Sequence, residues 1–247
     1  MNPELTENTK CSAVVIGSNG GLGAAFSQHL TGKNDLGSKY EQVLSISRKP
    51  TNGHSQTIDF TDESTISSSA IWLAEKCKNA PLRLIVVATG YLHTDGSGPE
   101  RSFQQLDSDY LQRVMLINTI GPALILKHFA PLVPKTGEVR LAFISAKVGS
   151  IGDNALGGWY GYRASKAALN QIVKTASIEL TRRNKQSVCI SLHPGTIATT
   201  LSNPFSKTGL NVRSPEVASE ELLKVIEQLT PAQTGGFYDY AGKALPW

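Results

Sequence analysis

The feature that most restricts the fold is a series of short apolar runs that do not alternate with polar residues. Ser12-Ala13-Val14-Val15-Ile16, Leu82-Arg83-Leu84-Ile85-Val86-Val87-Ala88, Val139-Arg140-Leu141-Ala142-Phe143-Ile144 and the segment 187–192 are of this kind. A strand with one wet face alternates. A nearly continuous run fits a strand covered on both faces, which is the condition of a parallel sheet. Between the runs lie stretches with helical spacing: 21–31, a segment through Ile66, Ala70, Leu73 and Ala74, then 107–129, 161–184 and 215–229. Shorter strands are expected at 43–46, 56–59 and 236–239. This order predicts an α/β fold, a doubly wound parallel sheet with helices on both faces. No Pro/Gly/Ser-rich linker or internal repeat divides the 247 residues, so a single domain is expected over 1–247.

Composition narrows the class of function. Hydrophobic residues make up 40% of the chain and charged residues 18%, enough for a buried core. Lys plus Arg is 24 against 20 for Asp plus Glu, a net +4 that by itself excludes neither nucleic acid nor an anionic ligand; with no long basic block, the expected partner is a small molecule and not a nucleic acid. Cys11, Cys77 and Cys189 are far apart with no metal-ligand spacing, which argues against a disulfide framework or a zinc site and for a reducing, cytoplasmic setting. The stretch 1–7 lacks the pattern of a signal peptide. The most apolar stretch, Val114 to Val133, is interrupted by Asn118, Gly121-Pro122, Lys127-His128 and Pro131, which suits a buried helix rather than a membrane span.

The turn Gly17-Ser18-Asn19-Gly20-Gly21-Leu22-Gly23 follows a buried strand and opens a helix. Gly17 permits a tight turn, Gly21 lets backbone approach a pyrophosphate, and Gly23 lets the helix pack closely on the strand. The helix N-terminus then offers free N–H groups and a positive dipole end to phosphate. An acid at the end of the second strand would hold a ribose 2′-hydroxyl. That strand instead ends Ile46-Ser47-Arg48-Lys49, and an arginine clamps a 2′-phosphate by paired hydrogen bonds, so NADPH is preferred and NADH left open.

The acid–base residues lie further on. In Tyr162-Arg163-Ala164-Ser165-Lys166 the tyrosine and lysine are four apart and share one helix face. An ammonium beside a phenol favours the phenolate, so Tyr162 is expected to have a lowered pKa and to exchange a proton with a carbonyl oxygen. Ser145 ends a strand at the carboxyl edge, where open α/β sheets place ligands, and its hydroxyl can hold that oxygen from the other side. Asn118 lies four residues before Pro122, which has no N–H. A free carbonyl and a kink are therefore expected at 118, suited to holding an ordered water that links Lys166 to solvent.

As a set and in this order, these residues resemble the short-chain dehydrogenase/reductase family, and the likeness covers nearly the whole chain. The resemblance implies a Rossmann-type fold, a nicotinamide cofactor and a small carbonyl substrate. It also implies Tyr162, Lys166, Asn118 and a strand-end serine as the catalytic set. Asp59 resembles the family's acidic contact to adenine, with Phe60 beside it. Leu192-His193-Pro194-Gly195-Thr196-Ile197-Ala198-Thr199 resembles the Pro-Gly segment along the nicotinamide, with Thr199 at the carboxamide or diphosphate. The details of 148–160 and the closing Leu245-Pro246-Trp247 look most like the C-factor-like branch, which also holds Sniffer-like carbonyl reductases.

Two departures stand out. The family's Asn-Asn-Ala-Gly is here Val87-Ala88-Thr89-Gly90, where Ala88 and Gly90 still permit a close cofactor approach. Its Ser-Ser pair is here Ser145-Ala146: either Ser145 replaces the catalytic hydroxyl, with Ser150 a weaker candidate, or the hydroxyl is absent. The second case would suit an NADP(H)-binding regulatory or signalling protein with little turnover. A substrate lid is expected near 200–213. Leu156, Trp159, Leu201 and Phe205 are candidates for an apolar wall, and Arg213 for contact with an acidic substrate or with solvent. Leu124, Ile172 and Val173 are read as outer helix positions. In this family such faces pair across a symmetric interface, which implies a homodimer or homotetramer.

Overall fold

β1 (Cys11–Ile16) is buried from Ser12 onward and leads through four turn residues into α1 (Gly21–Thr31). There follow β2 (Tyr40–Ser47), β3 (Ser55–Thr57), α2 (Glu63–Lys76), β4 (Leu82–Val87), α3 (Ser108–Met115), α4 (Gly121–Phe129), β5 (Val139–Ile144) and α5 (Tyr160–Arg183). The chain closes with β6 (Ser187–His193), β7 (Thr196–Ile197), β8 (Val212–Arg213), α6 (Pro215–Gln228) and β9 (Phe237–Asp239). This computed structural model describes residues 11–32, 37–49, 54–93, 98–201 and 212–247.

Seven strands form one sheet in the order β3-β2-β1-β4-β5-β6-β9, every neighbour pairing parallel. The continuous apolar runs are explained by what covers them. Along β5, Leu141 and Phe143 belong to the core shared with α2, α4 and α5, where they join Leu73, Phe129 and Val173. Ala142 and Ile144 belong to the core shared with α1 and α6, with Phe26 and Leu222. Successive residues from Leu141 to Ile144 thus meet apolar partners on alternate sides of the sheet, so a polar residue among them would lose water without gaining a partner. The strand order reverses between β1 and β4, and at such a switch point open α/β sheets place their ligands beyond the carboxyl ends of the strands.

Two expectations change, and one feature is new. The helix expected over 107–129 is broken by a five-residue π-turn, Leu116–Ile120, between α3 and α4. Pro122 cannot supply an N–H to the carbonyl four residues earlier, and one wider turn takes up the mismatch. Val173 is fully buried in the core rather than on an outer helix face, whereas Ile120 and Ile178 are exposed. A short parallel pair, β7 with β8, was not anticipated. It brings together the two ends of the stretch expected to form a lid, of which 202–211, including Phe205, lie outside the described residues.

Candidate active site

The glycine turn is built almost wholly from backbone. Gly17 has a left-handed φ of 87°, and a Cβ there would lie 3.0 Å from the backbone of Ala88 and Thr89 at the end of β4. A Cβ on Gly23 would collide with the Gly17 carbonyl oxygen, so the close start of α1 requires glycine at 23. Gly17 N–H donates to Ile46 O at 2.8 Å and Gly20 N–H to Gly17 O at 3.0 Å. No side chain caps α1, and no acid sits in its first turn, which leaves its positive end for an anion. A Cβ on Gly21 would lie 3.0 Å from Thr199 Cγ2, so the segment after β6 reaches the turn.

Several expected cofactor residues prove to shape the turn. Asn19 Nδ2 donates to Lys49 O at 2.5 Å, Ser47 Oγ donates to the same oxygen at 2.9 Å, and Ser18 Oγ donates to Ile46 O at 3.4 Å. Together they brace the end of β2, where Arg48 is exposed. Asp59 Oδ1 accepts from Thr61 N and Oγ1 at 2.9 and 2.7 Å. Those two bonds, with the charge of Arg48, hold the exposed Asp59 carboxyl below the usual carboxylate range. Phe60 is placed differently from its neighbour: its ring lies where a Cβ on Gly121 would be, and it packs on the core. Ala88 N–H donates to Ile16 O at 2.8 Å. Gly90 is exposed, and a Cβ there would make ordinary contact with Leu201 Cδ2 at 3.5 Å.

On the reaction side the side chains carry the arrangement. Asn118, fully buried in the π-turn, accepts from Tyr91 N at 2.8 Å and donates to Tyr91 O at 2.9 Å and Ser165 Oγ at 3.0 Å. Ser165 Oγ in turn donates to Tyr162 O at 2.8 Å. The amide therefore ties the end of β4 to α5, a role that the expected free backbone carbonyl did not foreshadow. Tyr162 and Lys166 are 7% and 2% exposed. Lys166 Nζ donates to Ile144 O at 2.9 Å and stands 5.8 Å from the centre of the Tyr162 ring. Among the described residues the Tyr162 hydroxyl has no hydrogen-bond partner.

The expected depression of the Tyr162 pKa does not appear. Burial pushes the phenol above its ordinary value and brings Lys166 down to about 7. At that distance desolvation outweighs the attraction between the two groups. Ser145 is 2% exposed, and its Oγ has no partner in the protein. Ala146 packs against the cluster of Tyr91, Tyr110 and Tyr162 and brings a methyl group to it. Ser150 Oγ is engaged, accepting from Asp153 N at 3.1 Å.

The segment after β6 is held by Arg213. Its guanidinium lies 3.4 Å from the centre of the Tyr240 ring, and its Nε pairs with Glu221 Oε2 at 3.0 Å. A Cβ on Gly195, whose φ is 76°, would lie 2.6 Å from Arg213 Nη1. Arg213 thus anchors the turn of the buried Pro194 and of Gly195 and the β7 strand of Thr196, instead of facing solvent or an acidic substrate. His193, at the end of β6, is brought down to about 4, chiefly by burial, and is neutral at pH 7. Of the expected apolar wall, Trp159 and Leu201 join the Tyr162 cluster, while Leu156 is 92% exposed and does not.

The loop before α5 holds what the sequence reading missed. Gly157, Gly158 and Trp159 all have left-handed φ, at 65°, 64° and 55°. Trp159 is the only non-glycine residue so placed among those described, at a cost of about 1–3 kcal/mol. Arg163 gathers this loop, its Nε donating to Gly158 O at 2.9 Å and its Nη2 to Gly157 O at 3.2 Å. The other missed residue is Glu100, 3% exposed, whose carboxylate accepts from Gly161 N. The sequence signal was faint: an acid after Gly98-Pro99 in a loop reads as solvated.

The model of the short chain dehydrogenase family matches residues 12–209. The chain belongs to that family. This short-chain dehydrogenase is 33% identical over 191 residues to the 1-hydroxy-2-glutathionyl-2-methyl-3-butene dehydrogenase of Rhodococcus sp. (strain AD45), covering 77% of this chain and 78% of that one. It is 34% identical over 143 residues to the C-signal protein of Myxococcus xanthus, covering 57% of this chain and 82% of that protein. Its fold matches an NADPH-bound carbonyl reductase from chicken fatty liver with a TM-score of 0.82 at 24% identity, over 97% and 96% of the two chains. The carbonyl reductase Sniffer of D. melanogaster also scores 0.82, at 22% identity, over 97% and 100%. This short-chain dehydrogenase is an oxidoreductase by family.

Proposed function

We propose that the chain is an NADPH-dependent carbonyl reductase, converting an aldehyde, ketone or quinone to the alcohol. One observation carries the reading: Tyr162 and Lys166 share a face of α5, both out of water, with the phenol uncommitted. The residues suit the cofactor. The bare positive end of α1 and the glycines at 17, 21 and 23 suit a pyrophosphate, exposed Arg48 suits a 2′-phosphate, and the Lys166 ammonium keeps donors beyond Ile144 O for ribose hydroxyls. When bound, the nicotinamide supplies hydride to the carbonyl carbon.

The chain's own groups do the rest. Tyr162 donates its proton to the carbonyl oxygen, and burial favours the protonated phenol needed for that direction. Lys166 stabilises the phenolate left behind. Asn118 fixes the π-turn against Tyr91 and α5 and so fixes where Tyr162 stands. Trp159 and Leu201 wall the tyrosine cluster and keep water from it. By the same reading the enzyme is cytoplasmic and pairs with a second copy through the outer faces of α4 and α5, near Ile120 and Ile178. A monomeric mass in solution would remove that part.

The test is NADPH oxidation against a panel of aldehydes, ketones and quinones, repeated with NADH. Turnover is expected with some carbonyl, and with NADPH over NADH. A panel without turnover despite saturable NADPH binding favours a second reading, an NADP(H)-binding regulatory protein. That reading draws support from Ala146, which carries a methyl group against the tyrosine cluster.

A further inference from the structure

The buried acid Glu100 has no evident role in the chemistry, yet it touches the helix that carries Tyr162. Its carboxylate is 3.2 Å from Gly161 N through each oxygen, and its carbonyl oxygen accepts from Trp159 N at 2.5 Å. Among the described residues no Lys, Arg or His pairs with it. Trp159, the residue before α5, provides no side-chain cap, so Glu100 fills that place from a distant loop. A negative charge is also what the positive end of a helix favours.

The fit is close and specific. A Cβ on Gly161 would lie 3.1 Å from Glu100 Oε1, 3.1 Å from Tyr110 Cε1 and 2.9 Å from Leu111 Cδ2, so only glycine brings the helix start this near. Glu100 and Arg163 together hold the left-handed run 157–159 from its two ends. The Trp159 ring then meets the Tyr162 ring edge-on, with centroids 6.1 Å apart.

We propose that Glu100 is a positioning residue: it clamps Trp159 and Gly161 so that the first turn of α5 presents Tyr162 and the Trp159 indole in one fixed arrangement. The clamp rests on the reading of Tyr162 as proton donor for its consequence in turnover, but its structural part is measured separately.

The experiment compares Glu100→Ala and Glu100→Gln with the wild type by hydrogen exchange, NADPH titration and steady-state kinetics. In Glu100→Ala, exchange within 159–166 should quicken while 169–180 stays protected. The kcat should fall by about 10- to 100-fold, with NADPH affinity within about twofold of wild type. Glu100→Gln keeps an acceptor oxygen and should recover most of kcat. Unchanged exchange at 159–166 overturns the clamp, as does joint loss of kcat and NADPH binding, which would make Glu100 a residue of general folding. If Glu100→Ala fails to fold, Gly161→Ala crowds the same contact and should give the same local exchange and loss of kcat; no change there overturns the proposal. Because exchange is read without turnover, retained activity in Tyr162→Phe would sink the functional reading and leave the clamp to be judged by exchange.

Discussion

The glycine turn and the surroundings of Tyr162 are built on opposite principles. Around Gly17–Gly23 the work is done by main chain: the N–H groups of Gly17 and Ser18 donate to the Ile46 carbonyl of β2, glycines admit close approach, and the side chains of Ser18, Asn19 and Ser47 brace the turn. Around Tyr162 the polar side chains are buried and only partly satisfied. Lys166 has one acceptor, Ser145 Oγ has none, and a strained Trp159 stands at the helix start. A binding site for a constant cofactor gains from rigidity, and backbone supplies it. A reaction site needs groups whose protonation is shifted, and burial with few partners supplies that.

If that division holds, variants in the two regions should fail differently. The largest effect is expected for Lys166→Met, with kcat falling by about 10²- to 10⁴-fold. The same substitution should stabilise the fold, and the sign can be checked. Lys166 binds its proton less readily folded, at about 7, than its ordinary 10.5, so across that window the unfolded chain holds more protons and stability rises with pH. Below about 7 both states are protonated and the buried charge imposes its full penalty. The gain in Tm for Lys166→Met should therefore be greatest near pH 6 and fade towards about 10. A gain that is flat with pH would mean that Lys166 is not desolvated as described.

Gly23→Ala comes next. It should weaken NADPH binding by about 10- to 100-fold, since a Cβ there meets the Gly17 carbonyl, while retained turnover at saturating cofactor would match the backbone-built turn. A fall in kcat with unchanged affinity would break the comparison. Arg48→Ala should raise KM for NADPH about tenfold and leave KM for NADH unchanged. Equal effects on both cofactors would remove the 2′-phosphate from the account. The smallest change is expected for Ala146→Ser, a rise in kcat of about threefold to tenfold, because the added hydroxyl faces the tyrosine cluster. A much larger gain would favour the regulatory reading, and none would leave Ser145 as the working hydroxyl.

The fold was legible because its signal is local and repeated. The uninterrupted runs at 12–16, 139–144 and 187–192 mean burial on both faces, and the helices between them follow. The glycine turn and the Tyr162/Lys166 spacing were legible for the same reason, since each lies within a few residues. What escaped depends on contacts distant in sequence. Glu100 meets Gly161 across 61 positions, and nothing in Gly98-Pro99-Glu100 marks it as buried. The left-handed φ of Trp159 is imposed by Arg163 and Glu100 and is not a preference of tryptophan. The direction of the Tyr162 shift was misjudged because residue spacing fixes a shared face but not the degree of desolvation. Arg213 read as a free charge because its partners, Tyr240 and Glu221, come from later elements.

The central claim is that the Tyr162 hydroxyl supplies the proton. The most direct measurement pairs NADPH titration with turnover for wild type and Tyr162→Phe, using the best carbonyl from the panel. The account predicts an NADPH affinity within about twofold of wild type and turnover reduced by at least about 10²-fold. Turnover that survives the loss of the hydroxyl would contradict it.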